Sequence, residues 1–218
     1  MRTGQPQILL FDLGGVLIDI DFERALRAWQ PASRLTLDEL KQAFRHDEPY
    51  ERHERGEISA EQYFQHLAAT LALDAEPAQI EQGWNAIFVA EIAETTALIR
   101  AIRDRIPCHA FTNTNAAHQA HWSRAYPSVA SAFGRIFASH EIGLRKPDER
   151  AFAHVARALG VPAASILFFD DSLANVKGAA AAGLQTVHVR SPADVANALR
   201  FIADWPGPTD AGSRQRER

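Results

Sequence analysis

The chain has 218 residues, 46% hydrophobic and 23% charged, which is typical of one globular domain, alone or with a smaller insert. Its formal net charge of -4 argues against nucleic acid as a partner, because binding phosphate backbones requires a basic surface. The single cysteine, Cys108, excludes an intramolecular disulfide, and no apolar run resembles a membrane span or a signal sequence. We therefore expect a soluble, cytoplasmic protein that binds neither nucleic acid nor membranes.

The first predicted element is a buried β-strand over residues 8–11, and it ends directly at Asp12. Two glycines, Gly14 and Gly15, follow within three residues. A carboxylate at the tip of such an apolar strand is costly unless another group pairs with it or a reaction uses it. Asp12 is therefore a candidate functional residue.

Residues 19–94 separate this strand from the next one, although a parallel crossover needs only about a dozen residues. Thr36 and Ser59 each begin a capping-box pattern, and Pro77 suits the first turn of a further helix. That helix is expected to carry Ile80, Trp84, Ile87 and Phe88 on one face. We therefore predict an almost wholly helical cap domain over residues 19–94.

Beyond the cap, apolar runs predicted as strands alternate with segments of helical periodicity. The strands are expected at residues 108–111, 136–138, 166–169 and 186–189, and the helices at 94–106, 148–160 and 172–183. This alternation predicts an α/β fold, a Rossmann-like parallel sheet with helices on both faces. The α/β core is expected to comprise residues 1–18 and 95–203, and the Pro/Gly-rich, charged segment 204–218 is expected to be disordered.

Ligands of open parallel sheets bind at the carboxyl ends of the strands. Polar residues at these ends, together with a lysine that precedes a helix, are predicted to share one rim: Asp12, Thr112, Asn113, Lys146, Asp170 and Asp171. Crowded carboxylates indicate a hard cation, and a lysine beside them indicates a second anion in the same cleft. A phosphate held between Mg²⁺ and the lysine would satisfy these charges.

Four motifs in this order resemble those of the haloacid dehalogenase superfamily, in members whose helical cap follows the first strand (a C1-type cap). They are FDLGGVL, FTNTN, GLRKP and FFDDSLANV, within about residues 7–190. Together with DIDFERALRAW and HERGEIS, they are most similar to the bacterial α-D-glucose-1-phosphate phosphatases of that superfamily. The resemblance implies a phosphatase.

The resemblance also implies roles for the residues that handle the phosphoryl group. Asp12 matches the nucleophile that becomes an aspartyl phosphate, a covalent route open to carboxylates. Thr112 and Asn113 would hold the phosphoryl oxygens. Lys146 would neutralise the group in transit and keep Asp12 ionised.

In this family pattern, Mg²⁺ is held by Asp12, by Asp171 and by the backbone carbonyl of Gly14, with water completing the octahedron. Asp170 is either a further ligand or a residue that orients the ligands from outside the first coordination sphere, and we favour the second role. Asn175 is as well explained by orienting the two aspartates as by an ordinary position on a helix surface.

Gly14 departs from the pattern of most phosphatases in the superfamily, which carry there a second aspartate that acts as a general acid and base. Such help is typically worth about 10²- to 10⁴-fold in rate. The sugar-phosphate branch also has glycine at this place, which favours a substrate with an acidic leaving group, such as the anomeric hydroxyl of a sugar 1-phosphate.

Other residues that could take over the proton transfer or face the substrate have ordinary explanations as well. His118 and His121 could donate a proton, although packed or solvated histidines are more common. In segment 53–59, His53, Glu54 or Arg55 could reach the substrate, although solvated charges are the ordinary expectation.

These observations predict a Mg²⁺-dependent phosphatase that acts on a small phosphorylated metabolite such as a sugar phosphate, as a monomer or homodimer. One alternative is a metal-independent haloacid dehalogenase that uses the same aspartate. Others are a non-catalytic protein that binds a phosphorylated ligand and a phosphotransferase with a long-lived phosphoenzyme.

Overall fold

A computed structural model of the protein describes residues 4–200, so the predicted disordered segment 204–218 lies outside the described residues. Five parallel strands form the main sheet: β1 (Ile8–Phe11), β4 (Cys108–Thr112), β5 (Ile136–Ala138), β6 (Ile166–Asp170) and β7 (Gln185–His188). Their spatial order is β5-β4-β1-β6-β7, with every neighbouring pair parallel. The predicted α/β class is confirmed, and β7 begins and ends one residue earlier than its apolar pattern predicts.

Helices cover both faces of this sheet, as predicted. They are α6 (Ala93–Ile102), α7 (Ala116–Ala125), α8 (Pro127–Ala130), α9 (Ser139–Ile142), α10 (Glu149–Leu159), α11 (Leu173–Ala181) and α12 (Pro192–Ala198). Alternate residues of β1 point to opposite faces: Leu9 and Phe11 pack with α6, α7, α8 and α12, whereas Ile8 and Leu10 pack with α9, α10 and α11. Because both faces are covered, β1 is apolar throughout.

The insert after β1 contains five α-helices: α1 (Phe22–Trp29), α2 (Leu37–Ala43), α3 (Glu48–Glu54), α4 (Ala60–Thr70) and α5 (Pro77–Asn85). Thr36 and Ser59 form the predicted capping boxes of α2 and α4, and Pro77 begins α5 as predicted. The expectation that Ile87 and Phe88 belong to the same helical face as Trp84 is wrong, because α5 ends at Asn85.

Instead, Phe88 begins a strand, β3 (Phe88–Glu91), that pairs antiparallel with β2 (Ile18–Ile20). This two-stranded ribbon lies where the chain enters and leaves the insert, so the insert is not purely helical. Sequence periodicity did not predict the ribbon, since each strand is very short and its partner is distant in the chain.

Aromatic rings form the centre of the insert. Trp29 and Trp84 are buried and parallel, with ring centroids 6.3 Å apart, and Tyr63 packs against Trp84 at 5.2 Å. Gly83 permits this approach, because a Cβ atom at that position would lie 2.0 Å from Nε1 of Trp29.

Within residues 4–200, no helix combines the length and the apolar character that crossing a membrane requires.

Candidate active site

The carboxyl ends of three neighbouring strands bring together three of the predicted site residues. Asp12 directly follows β1, Thr112 ends β4 and Asp170 ends β6, and all three are buried. Because β4, β1 and β6 are adjacent and parallel, their ends meet at one edge of the sheet. The predicted convergence of these side chains is therefore present.

Lys146 lies at the centre of this group and is only 1% exposed. Its Nζ is 2.8 Å from Oδ1 of Asp12 and donates a hydrogen bond of 2.7 Å to Oδ2 of Asp170. Burial alone lowers the pKa of Lys146, but the two adjacent carboxylates outweigh that effect and raise the pKa above its ordinary value. The lysine is therefore held as a cation against two acids.

Asp170 has little capacity left for further partners. Besides Lys146, its oxygens accept hydrogen bonds from the Ser172 backbone N–H at 2.8 Å and from the Asn175 amide at 3.0 and 3.1 Å. A carboxylate has about four lone-pair positions, and these contacts use them. The geometry thus fits an orienting role for Asp170 rather than direct ligation, and Asn175 is one of the residues that fix it.

Asp12, Asp170 and Asp171 each place a carboxylate oxygen within 4.8 Å of the others. Burial raises the pKa of Asp12, the charges of Asp170 and Asp171 add to this rise, and Lys146 opposes it. Burial and the charge of Asp170 likewise raise the pKa of Asp171. One ammonium group leaves this acidic cluster with excess negative charge, so the cluster fits a divalent cation with oxygen ligands.

Asn113 connects the end of β4 to the segment that carries the lysine. Its side-chain amide donates to the carbonyl oxygen of Lys146 and accepts from the backbone N–H of the same residue, both at 2.9 Å. The side chain therefore fixes the backbone of Lys146 and keeps one further amide N–H for another acceptor. Thr112 lines the adjoining cleft, where its hydroxyl bonds only weakly to the Asn113 carbonyl at 3.5 Å.

The cleft above the acidic cluster has a volume of about 360 Å³ and runs between the sheet edge and the insert. On the sheet side it is lined by Asp12, Gly14, Lys146 and Asp171. On the insert side it is mostly apolar and aromatic, with Ile20, Phe22, Tyr50, Ile87 and Phe88 among its lining residues. A small organic molecule bound against the acidic cluster would therefore be enclosed by the insert.

A family model for haloacid dehalogenase-like hydrolases matches residues 6–183, which include the whole described site. The chain belongs to this family. Thus the resemblance of the four motifs, the parallel sheet with an insert after β1 and the family match agree with one another.

The proteins to which this chain is similar include two phosphatases and an enzyme whose crystal structure contains inorganic phosphate. A D-ribitol-5-phosphate phosphatase of Bacteroides thetaiotaomicron is 22% identical over 89% of this chain and 97% of its own. A sesquiterpene phosphatase of Aspergillus oryzae is 28% identical over 83% of this chain and 88% of its own. A crystal structure of a family enzyme from B. thetaiotaomicron, an aspartate-to-alanine variant in complex with magnesium and inorganic phosphate, has a TM-score of 0.77 and 25% identity, over 86% of this chain and 95% of that one.

His118 lines the cleft of this hydrolase but is unsuited to transferring protons. Its Nε2 is 3.0 Å from the Trp84 carbonyl and its Nδ1 is 3.1 Å from the Asn115 amide, so both ring nitrogens are engaged. Burial lowers the pKa of His118 to about 3, which keeps the ring neutral. The alternative in which His118 donates a proton is therefore disfavoured, whereas His121 stacks on Phe88 outside the cleft.

Segment 53–59 contributes one residue to the cleft, Glu54, at the end of α3. His53 instead stacks on Tyr63, and Arg55 pairs with Glu57. Glu54 is 5% exposed, so the expectation that the charges of this segment are solvated is wrong for this residue. Sequence reasoning missed its partner, Arg145, although that arginine directly precedes Lys146 in the GLRKP motif.

Proposed function

We propose that the protein is a Mg²⁺-dependent phosphatase that forms an aspartyl phosphate at Asp12. The observation that carries this proposal is the buried Lys146, which lies between Asp12 and Asp170 beside a third carboxylate, Asp171. This arrangement supplies a nucleophile, a fixed cation for the phosphoryl oxygens and an acidic cluster that fits a divalent ion. Relatives that hydrolyse phosphate esters and a similar structure with magnesium and phosphate support it.

Asp12, Asp171 and the backbone carbonyl of Gly14 would hold the Mg²⁺, and Asp170 would orient them. When bound, the ion offsets the charge of the carboxylates and of the phosphoryl oxygens. Asp12 attacks phosphorus and the bond to the leaving oxygen breaks, so that the alcohol leaves as its alkoxide and takes a proton from solvent. Water later attacks the phosphorus of the acyl phosphate, which regenerates the carboxylate and releases inorganic phosphate and a proton.

Each of the remaining site residues has a part in this reaction. Lys146 binds the phosphoryl oxygens and fixes one oxygen of Asp12, whose Oδ1 also accepts a hydrogen bond of 2.7 Å from the Leu13 N–H. Thr112 and Asn113 bind the oxygens on the other side. Phosphoryl transfer depends mainly on such positioning and charge neutralisation.

The substrate we propose is the phosphate ester of a small alcohol, in particular a sugar phosphate such as glucose 1-phosphate. Gly14 supplies no general acid, which favours a leaving group as acidic as an anomeric hydroxyl. A ribitol 5-phosphate phosphatase among the relatives supports a polyhydroxylated leaving group. The cleft volume of about 360 Å³ is suited to a molecule of this size.

The test is phosphate release from phenyl phosphate, glucose 1-phosphate and ribitol 5-phosphate, with Mg²⁺ or with EDTA. We expect release that requires Mg²⁺, and a loss of about 10³-fold or more in the Asp12→Asn variant because the nucleophile is removed. Binding of Mg²⁺ and phosphate without turnover would contradict the proposal, as would chloride release from a 2-haloacid in EDTA. Transfer of phosphate to added sugar instead of water would indicate a phosphotransferase.

A further inference from the structure

Glu54 and Arg145 form an ion pair at the wall of the cleft, away from the acidic cluster. The Nε and Nη2 atoms of Arg145 each lie 2.8 Å from Oε2 of Glu54, and its Nη1 lies 2.8 Å from Oε1 of Glu51. Glu54 belongs to the insert and Arg145 to the core, yet both line the cleft. The pair therefore crosses the boundary between the two parts of the chain.

Such a pair is not explained by stability alone. Taking a carboxylate and a guanidinium out of water has a free-energy cost that largely offsets their attraction, so a buried ion pair adds little net stability. The Glu54 side chain is 6% exposed and that of Arg145 is 18% exposed, so this cost applies to both groups. A position on the wall of the cleft suggests that the pair serves the ligand.

The rest of the insert side offers few polar contacts. Within residues 4–200, the carboxylate and guanidinium groups that line the cleft away from the acidic cluster and Lys146 are those of Glu54 and Arg145. Tyr50 and His46 line the cleft as well. We call these four residues the polar corner: His46, Tyr50, Glu54 and Arg145. The polar corner faces a chamber whose other insert-side walls are largely apolar.

The polar corner keeps free hydrogen-bonding capacity. Arg145 has five N–H donors and uses three on the two glutamates. Glu54 has about four lone-pair positions, of which Arg145 occupies two. At least one donor on Arg145 and one acceptor on Glu54 thus remain, and a hydroxyl group can use both because it accepts and donates at once.

We infer that Glu54 and Arg145 determine substrate specificity by binding hydroxyl groups of the leaving alcohol. This inference rests on the proposed phosphatase function and names its substrate class: phosphate esters of polyhydroxylated alcohols with one face of C–H groups. That face packs on the apolar wall formed by residues such as Ile20 and Phe88, while the hydroxyls bond to the polar corner. A leaving alcohol that has no hydroxyl beyond the esterified one leaves the ion pair without its ligand contacts.

The test compares kcat/KM for ribitol 5-phosphate and glucose 1-phosphate with kcat/KM for phenyl phosphate in Glu54→Gln and wild-type protein. We expect the ratio of polyol to phenyl ester to fall about 10- to 100-fold, which corresponds to losing one or two hydrogen bonds to a charged group. Arg145→Lys is the second variant, because it keeps the charge but loses the fork of donors, and the same ratio should fall.

Glu51→Gln is the matched control. Glu51 contacts the same guanidinium but lies outside the cleft. The ratio of kcat/KM for the polyol esters to that for phenyl phosphate should therefore stay at the wild-type value in this variant. An equal loss on all esters in Glu54→Gln would overturn the inference, since it would mean that the pair only positions the neighbouring Lys146. A wild-type preference for a prenyl phosphate over the polyol phosphates would overturn it as well.

Failure of the inference and failure of the proposed function are distinguishable. If the wild type releases phosphate from phenyl phosphate with Mg²⁺ but the ratio is unchanged in both variants, the inference alone is wrong. If the wild type releases no phosphate from any ester, the proposed function is wrong. Far-UV circular dichroism and thermal melts identify a variant that does not fold, in which case the other variant decides.

Discussion

The two sides of the cleft differ in the chemical character of the residues that line them. At the sheet edge, Asp12, Lys146 and Asp170 lie at or beside strand ends, are almost fully buried and form charge-assisted contacts of 2.7 to 2.8 Å. The insert side consists mainly of apolar and aromatic groups and contributes one buried acid, Glu54. The sheet edge is thus suited to a reaction that any phosphate ester shares, and the insert side to telling one ester from another.

Removing the cation of the sheet edge should have the largest effect. We expect Lys146→Met to lower kcat about 10³-fold, because the phosphoryl oxygens lose their fixed cation. The free energy of unfolding of the variant should also be about 3 to 5 kcal/mol lower than that of the wild type, since two buried carboxylates lose their partner. Phosphate release from phenyl phosphate and urea denaturation measure these effects.

Lys177→Met is the control for that experiment, because Lys177 is an exposed lysine on α11. Its activity and its free energy of unfolding should match the wild type. Wild-type activity in Lys146→Met would show that the sheet edge does not perform the chemistry, and the contrast between the two sides would fail.

Acid should act on the two sides with opposite sign. The pKa of His118, a residue of α7 whose ring packs on Trp84 of the insert, falls from 6.5 to about 3 on burial, so the unfolded chain binds its proton first as the pH drops. His118 therefore contributes stability above pH 6.5, and that contribution decreases by up to about 1.4 kcal/mol per pH unit as the pH falls toward 3. The raised pKa values of Asp12 and Asp171 have the opposite effect, because the folded state binds those protons first.

The difference between wild type and His118→Asn isolates the histidine, since the acids are common to both proteins. Urea denaturation at several pH values below 6.5 should give a smaller loss of stability per pH unit in the variant. Identical slopes in the two proteins would contradict a neutral, buried His118.

The smallest effect is expected at Gly14, on the floor of the cleft. A Cβ atom there would lie 3.0 Å from the end of the Ile20 side chain, which can shift, so aspartate is accommodated. We expect Gly14→Asp to raise kcat about tenfold for ribitol 5-phosphate, because the aspartate adds a general acid and ribitol is a poor leaving group. The gain should be smaller for phenyl phosphate, whose phenol leaves more easily.

Gly14→Asn is the matched control, with the same shape and no titratable proton. If aspartate helps both esters equally, or if asparagine gives the same gain, the explanation of Gly14 through leaving-group acidity is wrong. Initial rates of phosphate release over the substrate panel decide between these outcomes.

The sequence predicted the sheet edge better than the insert side, for a physical reason. Asp12, Thr112 and Asp170 each end an apolar run, and parallel strands carry such ends to one place whatever the loops do. Glu54 and Arg145, by contrast, are 91 residues apart and belong to separate parts of the chain. Their contact depends on how α3 packs against the core, which local patterns do not encode.

Asn113 shows the same limit within a correctly predicted motif. Its place at the end of β4 followed from the sequence, whereas its pair of hydrogen bonds to the backbone of Lys146 depends on a loop 33 residues away. Local pattern therefore located the residue, and tertiary structure determined what its side chain contacts.

The ribbon of β2 and β3 has a consequence for how such a protein diversifies. Since Ile18 pairs with Glu91, the two attachment points of the insert are neighbours, and the core is continuous without it. Within residues 4–200, the hydrogen bonds and ion pairs of Asp12 and Lys146 go to core residues, so exchanges inside the insert leave those contacts in place. One hydrolytic centre can thus acquire new substrates when only the insert changes.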